Sequence, residues 1–210
     1  MAFTDQAIME QIQNVMIETP DGGQTWGSGL WSMDEVVSYM NQRQLQFLKN
    51  TQLQFGISLI AATQGVSTYD LPDDWITTVR VLFIYPDGST IELANSDTWE
   101  ADNGIPDWSY EEGQPKLYYD GGKPASLEIM PLPDDDGTIQ IHYVPYSALL
   151  TGDGEIFTVP DEFVVPIKYG VLSDMLTKVA RAQDPSRAKY CADRYQMGIE
   201  FARLLVGGFQ

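Results

Sequence analysis

The periodicity of the apolar residues changes twice along this 210-residue chain, and that change restricts the folds open to it. Near both ends apolar residues recur every three or four positions, as in amphipathic helices, whereas the middle alternates apolar and polar residues as strands do. We therefore predict an α+β fold in which terminal helix pairs form a helical bundle with a central antiparallel β-sheet insertion. The predicted segments are an N-terminal helix pair at 1–63, the β insertion at 64–158, and a C-terminal helix pair with a tail at 159–210.

Two capping patterns mark the N-terminal helices. Thr4 or Asp5 is placed to cap a first, short helix. Ser32 and Glu35 have the S-x-x-E spacing of a capping box, which opens a longer helix that should fade near residues 55–56. The N-terminal segment is therefore predicted to be a short helix followed by a long one.

Turn-forming residues divide the central segment into strands. Pro86-Asp87-Gly88 predicts a hairpin between strands at 76–85 and 91–93. Three further strands are predicted at 116–119, 126–130 and 138–146. These turns and alternations favour an antiparallel sheet.

An aromatic-rich segment interrupts this β pattern. Ser96 can cap a short helix at 97–102, after which no regular period is found as far as Tyr110. Trp99, Trp108 and Tyr110 suit either a loose core or a contact between subunits. Both interpretations stay open for this loop.

Prolines and an aspartate define the C-terminal helices. The third helix is predicted to begin at Pro160 or Asp161 and to kink or restart at Pro166. Asp184-Pro185 supplies an N-cap and a first-turn proline for the last helix, which ends at Gly207-Gly208. The predicted core faces are Ile167, Val171, Met175 and Val179 in the third helix, and Ala188, Cys191, Tyr195, Ile199, Ala202 and Val206 in the last.

Acidic residues dominate the chain, with 30 Asp and Glu against 12 Lys and Arg and a formal charge of −18. Residues 1–160 carry −19, whereas residues 161–210 hold seven bases against six acids. Binding duplex DNA requires clustered Lys and Arg, so this balance argues against a protein that grips DNA. The acidic segment is either an ordinary solvated surface or a wall that repels DNA.

The composition is that of a soluble globular protein, with 43% hydrophobic residues. No apolar run approaches the roughly 20 residues that span a bilayer, and the first residues do not resemble a signal peptide. We therefore expect a product of the cytoplasm with no membrane contact. Cys191 is the only cysteine, so it cannot form an internal disulfide and is expected to be a small buried hydrophobe.

Few residues could carry catalysis. His142 is the only histidine, and its strand-like surroundings favour a place on a sheet face over a role as a general base. The carboxylates at Asp73-Asp74 and Asp134–Asp136 lie in Pro/Gly turns, where such groups are usually solvated caps. These observations predict a protein that is not an enzyme.

Cofactor sites are also unsupported by the sequence. The glycines at 22–29 lack the strand, lysine and spacing of a phosphate-binding loop. The loop at 151–155 and the run Asp134–Asp136 resemble calcium ligands faintly, but neither has the EF-hand order. We predict no cofactor and no metal.

Short motifs in a fixed order resemble the tailed-bacteriophage head-to-tail adaptor family. The first is Tyr-Asp-Leu-Pro-Asp-Asp-Trp at 69–75, and the second is Leu-Glu-Ile-Met-Pro-Leu-Pro at 127–133, followed by Tyr143-Val144-Pro145. The third is Val-Pro-Asp-Glu-Phe at 159–163, which precedes the closing helices. Each motif alone is ordinary turn chemistry, and their order and spacing over most of the chain carry the resemblance.

The resemblance implies a non-enzymatic virion protein at the head-tail junction, made in the host cytoplasm. Such an adaptor forms a ring, a dodecamer, that binds the portal protein on one side and a tail tube or nozzle protein on the other. DNA would pass through the ring without specific binding during packaging and ejection. The alternative from another class is a carbohydrate- or receptor-binding β module of a phage tail, in which exposed Trp and Tyr stack on sugars.

Two surfaces are candidates for the contacts of such a ring. The C-terminal helices and the tail at 206–210 are predicted to contact the portal, because Phe209 is an apolar residue beyond two glycines that let it reorient. The candidate portal residues are Arg187, Arg194, Arg203, Phe209 and Gln210. The candidate residues facing the channel or the tail are Asp134, Asp135 and Asp136.

Overall fold

The structure is a computed structural model that describes residues 3–18, 20–24, 26–97, 99, 109–120 and 125–207. Its helices are α1 Asp5–Met16, α2 Met33–Thr51, α3 Asp161–Thr177 and α4 Pro185–Gly207. Its strands are β1 Gly56–Ala62, β2 Thr68–Asp70, β3 Trp75–Ile84, β4 Thr90–Asn95, β5 Glu112–Gly113, β6 Leu117–Tyr119, β7 Ser126–Met130, β8 Leu132–Pro133 and β9 Gly137–Pro145. The α+β class is confirmed.

The chain divides into two compact units. The helical unit comprises Met1–Gln54 with Ser147–Gln210, and the sheet unit comprises Phe55–Tyr146. The expected boundaries at 63/64 and 158/159 therefore differ from those of the structure. Residues 56–62 form strand β1 of the sheet unit, because a short apolar run does not distinguish the end of a helix from a strand.

The predicted caps start the helices of the helical unit. The Thr4 hydroxyl accepts a hydrogen bond from the Ala7 amide at 3.3 Å, and the Ser32 hydroxyl accepts one from the Glu35 amide at 3.2 Å. The Asp184 carboxylate accepts from the amide of Arg187 at 3.0 Å and caps α4. Each cap satisfies an amide that has no partner within its own helix.

Aromatic contacts hold α2, α3 and α4 together. The Phe47 ring lies 5.6 Å from that of Phe163 and 6.2 Å from that of Tyr195, between ring centroids. Gly198 of α4 lies directly against Pro166 of α3, where a Cβ atom would overlap the proline ring. The close approach of α3 and α4 therefore depends on a glycine facing a proline.

Two details of α3 differ from the sequence prediction. The helix continues through Pro166 without restarting, because the proline lies in its second turn and removes a single helical hydrogen bond. Val179 lies beyond the end of the helix at Thr177 and is 88% exposed, so it does not belong to the core. The other three predicted core residues of α3 are buried.

A seven-stranded sheet has the order β1-β9-β3-β4-β6-β7-β2. The predicted hairpin joins β3 to β4, with an amide–carbonyl hydrogen bond of 2.9 Å from Tyr85 to Ser89. One face of the sheet packs around Phe83, Ile129, Ile139 and Ile141, all of which are fully buried.

The sheet is mixed, so the prediction of an antiparallel sheet is wrong in one pairing. Strands β4 and β6 run parallel, with Ala94 opposite Leu117, while the other neighbours are antiparallel. Parallel pairing requires a long connection, and residues 96–116 provide one. The shorter strands β5 and β8 form a separate parallel pair.

Candidate functional site

Helix α4 presents two apolar faces. Its buried face contains Ala188, Cys191, Tyr195, Ile199 and Ala202, as the sequence predicts. Tyr190, Met197, Phe201 and Leu204 are 51%, 57%, 58% and 73% exposed. Together with Arg194 they occupy positions 190, 194, 197, 201 and 204, and spacings of three and four place all five on one side of the helix. We call the four apolar residues the outer stripe.

The outer stripe is ordered by contacts at both ends. The Arg194 guanidinium lies 5.2 Å from the centroid of the Tyr190 ring and donates a hydrogen bond from Nε to the Tyr190 hydroxyl at 3.0 Å. The Tyr190 ring meets Tyr169 edge-on, and the Phe201 ring lies 6.3 Å from that of Phe163. Solvent-exposed apolar rows of this kind are typical of surfaces that bind another protein.

The structure brings two of the predicted portal arginines together and separates the third. Arg187 and Arg194 lie on the same side of α4, in register with the outer stripe. Arg203 points elsewhere, because its Nε donates to the Asn50 carbonyl at the end of α2 over 2.7 Å. Phe209 and Gln210 lie outside the described residues.

The acidic turn Asp134–Asp136 joins β8 to β9. Asp134 accepts from the Tyr85 hydroxyl at 2.8 Å, and Asp136 accepts from the Gln64 amide at 2.9 Å. Burial and the bond to Asp134 raise the pKa of Tyr85 to about 12, with contributions from Asp135 and Asp87. Three carboxylates, those of Asp134, Asp135 and Asp87, therefore lie near one phenol at this end of the sheet.

The sheet unit as a whole is strongly negative. Residues 55–146 contain 16 acids and three bases, a formal charge of −13, whereas the helical unit carries −5. Arg80 is one of the three bases, and it already pairs with Glu92 at 2.7 Å. The surface of this unit therefore repels a polyanion.

One carboxylate that sequence reasoning treated only as a cap candidate is buried. Asp5 has no exposed surface and accepts hydrogen bonds from the amides of Gly152 and Gly154 at 2.7 and 2.9 Å. Burial and a hydrogen bond with Glu155 raise its pKa. The loop considered for calcium thus holds a carboxyl pair, and no group able to hold a metal ion occurs among the described residues.

The catalytic candidates do not converge on a reactive arrangement in the described part of the chain. His142 lies on β9 and its Nε2 is 2.8 Å from the Gln140 amide nitrogen. Asp74 accepts from the Tyr143 hydroxyl at 2.9 Å. Cys191 is buried, and burial raises the pKa of its thiol, which makes it a weaker nucleophile.

The aromatic segment is only partly described. Trp99 and Tyr110 are 74% and 84% exposed, whereas Tyr118 on β6 is buried in the core of the sheet. Trp108 and most of the predicted helix at 97–102 lie outside the described residues. Of the two interpretations left open for this segment, packing in the core of the chain does not apply to Trp99 and Tyr110.

A comparison with protein families accounts for nearly the whole chain. The family described as SU10 adaptor protein matches residues 6–204. The chain belongs to the SU10 adaptor protein family. The match confirms the resemblance to phage head-to-tail adaptors and makes this SU10 adaptor family member a structural component of a bacteriophage virion. A search of curated proteins finds no match.

Two features of this SU10 adaptor family member were missed by sequence reasoning. The outer stripe could have been found from the second apolar row at 190, 197, 201 and 204. The burial of Asp5 has no local signal in the sequence. Within the ranges described, no helix is long and apolar enough to cross a membrane.

Proposed function

We propose that this protein is a ring-forming adaptor that joins the portal to the tail tube or nozzle and lines the DNA channel during packaging and ejection. The ring contains twelve copies, as the family resemblance implies, and it works without a cofactor or a catalytic step. The terminal helix pairs act together as the adhesive bundle, and the sheet unit forms the acidic part.

The outer stripe is the observation that carries this proposal. A protein that works alone gains nothing from four large apolar side chains aligned on one exposed helix face, whereas a protein that docks does. Arg187 and Arg194 beside the stripe provide charge for orientation, as arginine often does at interfaces. We assign this face, together with the tail Phe209-Gln210, to the portal.

The charge of the sheet unit supports the channel role. A formal charge of −13 is repeated in every copy, and at the acidic turn Asp134, Asp135 and Asp136 lie close together. Phosphates of passing DNA are repelled by such a surface, which keeps the duplex from adhering. The exposed acidic turn faces the channel or the tail in this proposal.

The experiment compares two neighbouring substitutions on α4. Met197→Lys places a charge in the outer stripe, whereas Gln196→Lys places the same charge on an exposed position outside it. Size-exclusion chromatography with light scattering, run with the portal protein of the same phage, should show a ring-portal complex for the wild type and for Gln196→Lys. Met197→Lys should lose the complex, and equal docking by both variants would contradict the assignment.

A further inference from the structure

A cavity of about 340 Å³ opens within the helical unit. Its walls come from the end of α1, the loop before α2, the end of α3 and the turn into α4. The apolar walls include Val15, Ile17, Leu30, Trp31 and Leu176, and the polar lining includes Glu18, Arg181, Asp184 and Arg187. This mixture of apolar walls and charged groups suits a ligand with both kinds of surface.

Ile17 at this cavity is held in an unusual conformation. It ends α1 with φ of 60°, in the left-handed region that β-branched residues avoid, and its side chain is 94% exposed. Glycine is the usual residue at such a helix end. A strained and exposed apolar side chain at the mouth of a cavity is a feature associated with binding.

The cavity lining contains two cationic groups without a carboxylate partner. Arg181 and Arg187 form no ion pair in the portion of the chain described. Trp31 also lines the cavity and is 6% exposed. Asp184, in contrast, already accepts a hydrogen bond from the Arg187 amide. The groups of the lining that still need a partner are therefore the two guanidiniums, which require hydrogen-bond acceptors.

One segment of the same sequence has the complementary chemistry. Residues 97–112 contain six acids and no base, together with two tryptophans and a tyrosine. Its described aromatic side chains, Trp99 and Tyr110, are 74% and 84% exposed. An acidic aromatic segment brings apolar surface for the walls and carboxylates for the two guanidiniums.

We propose that residues 97–112 of one copy dock into this cavity of a neighbouring copy. The contact joins two different surfaces of identical chains, which is the type of contact that closes a ring. The inference rests on the proposed ring assembly, to which it adds the lateral contact and the partner of the aromatic segment. The cavity contains none of the residues of the outer stripe that we assign to the portal, although Arg187 lines the cavity and also lies in register with the stripe.

The first experiment measures this contact without any ring. A synthetic peptide with the sequence of residues 97–112 is titrated into the full-length protein with ¹⁵N-labelled tryptophan, and the indole resonance of Trp31 is assigned with Trp31→Phe. The resonance should shift, because the docked peptide contacts the Trp31 side chain in the cavity wall. Arg181→Glu should weaken binding about tenfold or more, as expected when a charge at an interface is reversed.

Two controls make the result specific. Lys189→Glu reverses an exposed charge on α4 that does not line the cavity, and it should bind the peptide as the wild type does. A peptide with Asn and Gln in place of Asp and Glu should bind weakly. An unmoved Trp31 resonance, or equal losses for Arg181→Glu and Lys189→Glu, would overturn the inference.

A charge swap separates this inference from the proposed function. Arg181→Glu should prevent ring assembly on the portal, and adding Glu111→Lys to the same chain should restore it, since each interface regains one opposite pair. Normal rings from Arg181→Glu alone would refute the lateral contact while leaving the adaptor role intact. A wild type that never assembles with its portal would refute the adaptor role, and the peptide titration would still test the cavity.

Discussion

The burial of Asp5 leads to a prediction about stability. Its carboxyl group has no exposed surface and accepts from the amides of Gly152 and Gly154. Those glycines have φ values of 94° and 101°, which turn both N–H groups towards the carboxyl. Asp5→Ala would leave the buried Gly152 amide and the half-buried Gly154 amide without their acceptor.

The expected loss is about 3 kcal/mol in the free energy of unfolding. A buried amide left without an acceptor costs roughly 1–3 kcal/mol, which applies in full to Gly152 and in part to the half-buried Gly154. The matched control is Asp153→Ala, which removes an exposed carboxylate from the same loop and should change stability by less than about 0.5 kcal/mol. Urea unfolding followed by circular dichroism measures both variants.

The loss should also depend on pH. Because the pKa of Asp5 is raised, the folded chain binds this proton more tightly than the unfolded chain. The contribution is therefore complete below the ordinary pKa of 3.8 and is lost as the pH rises through the raised value. Hydrogen bonds from Thr151 and then Asp5 lower the pKa of Glu155 to about 2, so its contribution is lost only as the pH falls towards that value.

The raised pKa of Asp5 and the lowered pKa of Glu155 together determine how the stability difference should vary with pH. The difference between wild type and Asp5→Ala should be largest in the acidic range above about pH 2 and should shrink as the pH rises towards neutrality. A difference that grows with pH, or a loss no larger than that of Asp153→Ala, would show that the Asp5 carboxyl group does not stabilise the fold as we describe.

Two further predictions concern packing and DNA. Gly198→Ala should destabilise the protein by about 1–3 kcal/mol in thermal or urea unfolding, because the added methyl group overlaps Pro166, and an unchanged midpoint would contradict the close approach of α3 and α4. Duplex DNA should show no useful affinity at physiological salt in filter binding, because the sheet unit carries −13 in each copy. Micromolar binding with a steep salt dependence would contradict an acidic channel and indicate a DNA-gripping role for Arg181, Arg187, Lys189 and Arg194.

The sequence by itself determined the local features of this protein. Thr4, Ser32 and Asp184 cap the helices where predicted, because a cap depends on a side chain and an amide three residues away. The hairpin at 85–89 follows for the same reason, since its turn chemistry is contained in a few consecutive residues. The order and spacing of the motifs at 69–75, 127–133 and 159–163 were also sufficient to indicate the adaptor family.

The tertiary structure alone decided the features that join distant residues. The parallel pairing of β4 with β6 depends on where a long connection returns the chain, and no local pattern records that direction. Asp5 is buried because a loop about 150 positions away supplies its hydrogen-bond donors. Arg203 does not lie on the predicted portal surface, because its guanidinium donates a hydrogen bond to the Asn50 carbonyl. Local propensity acts over a few residues, whereas burial and pairing depend on which segments meet, and only the folded chain specifies that.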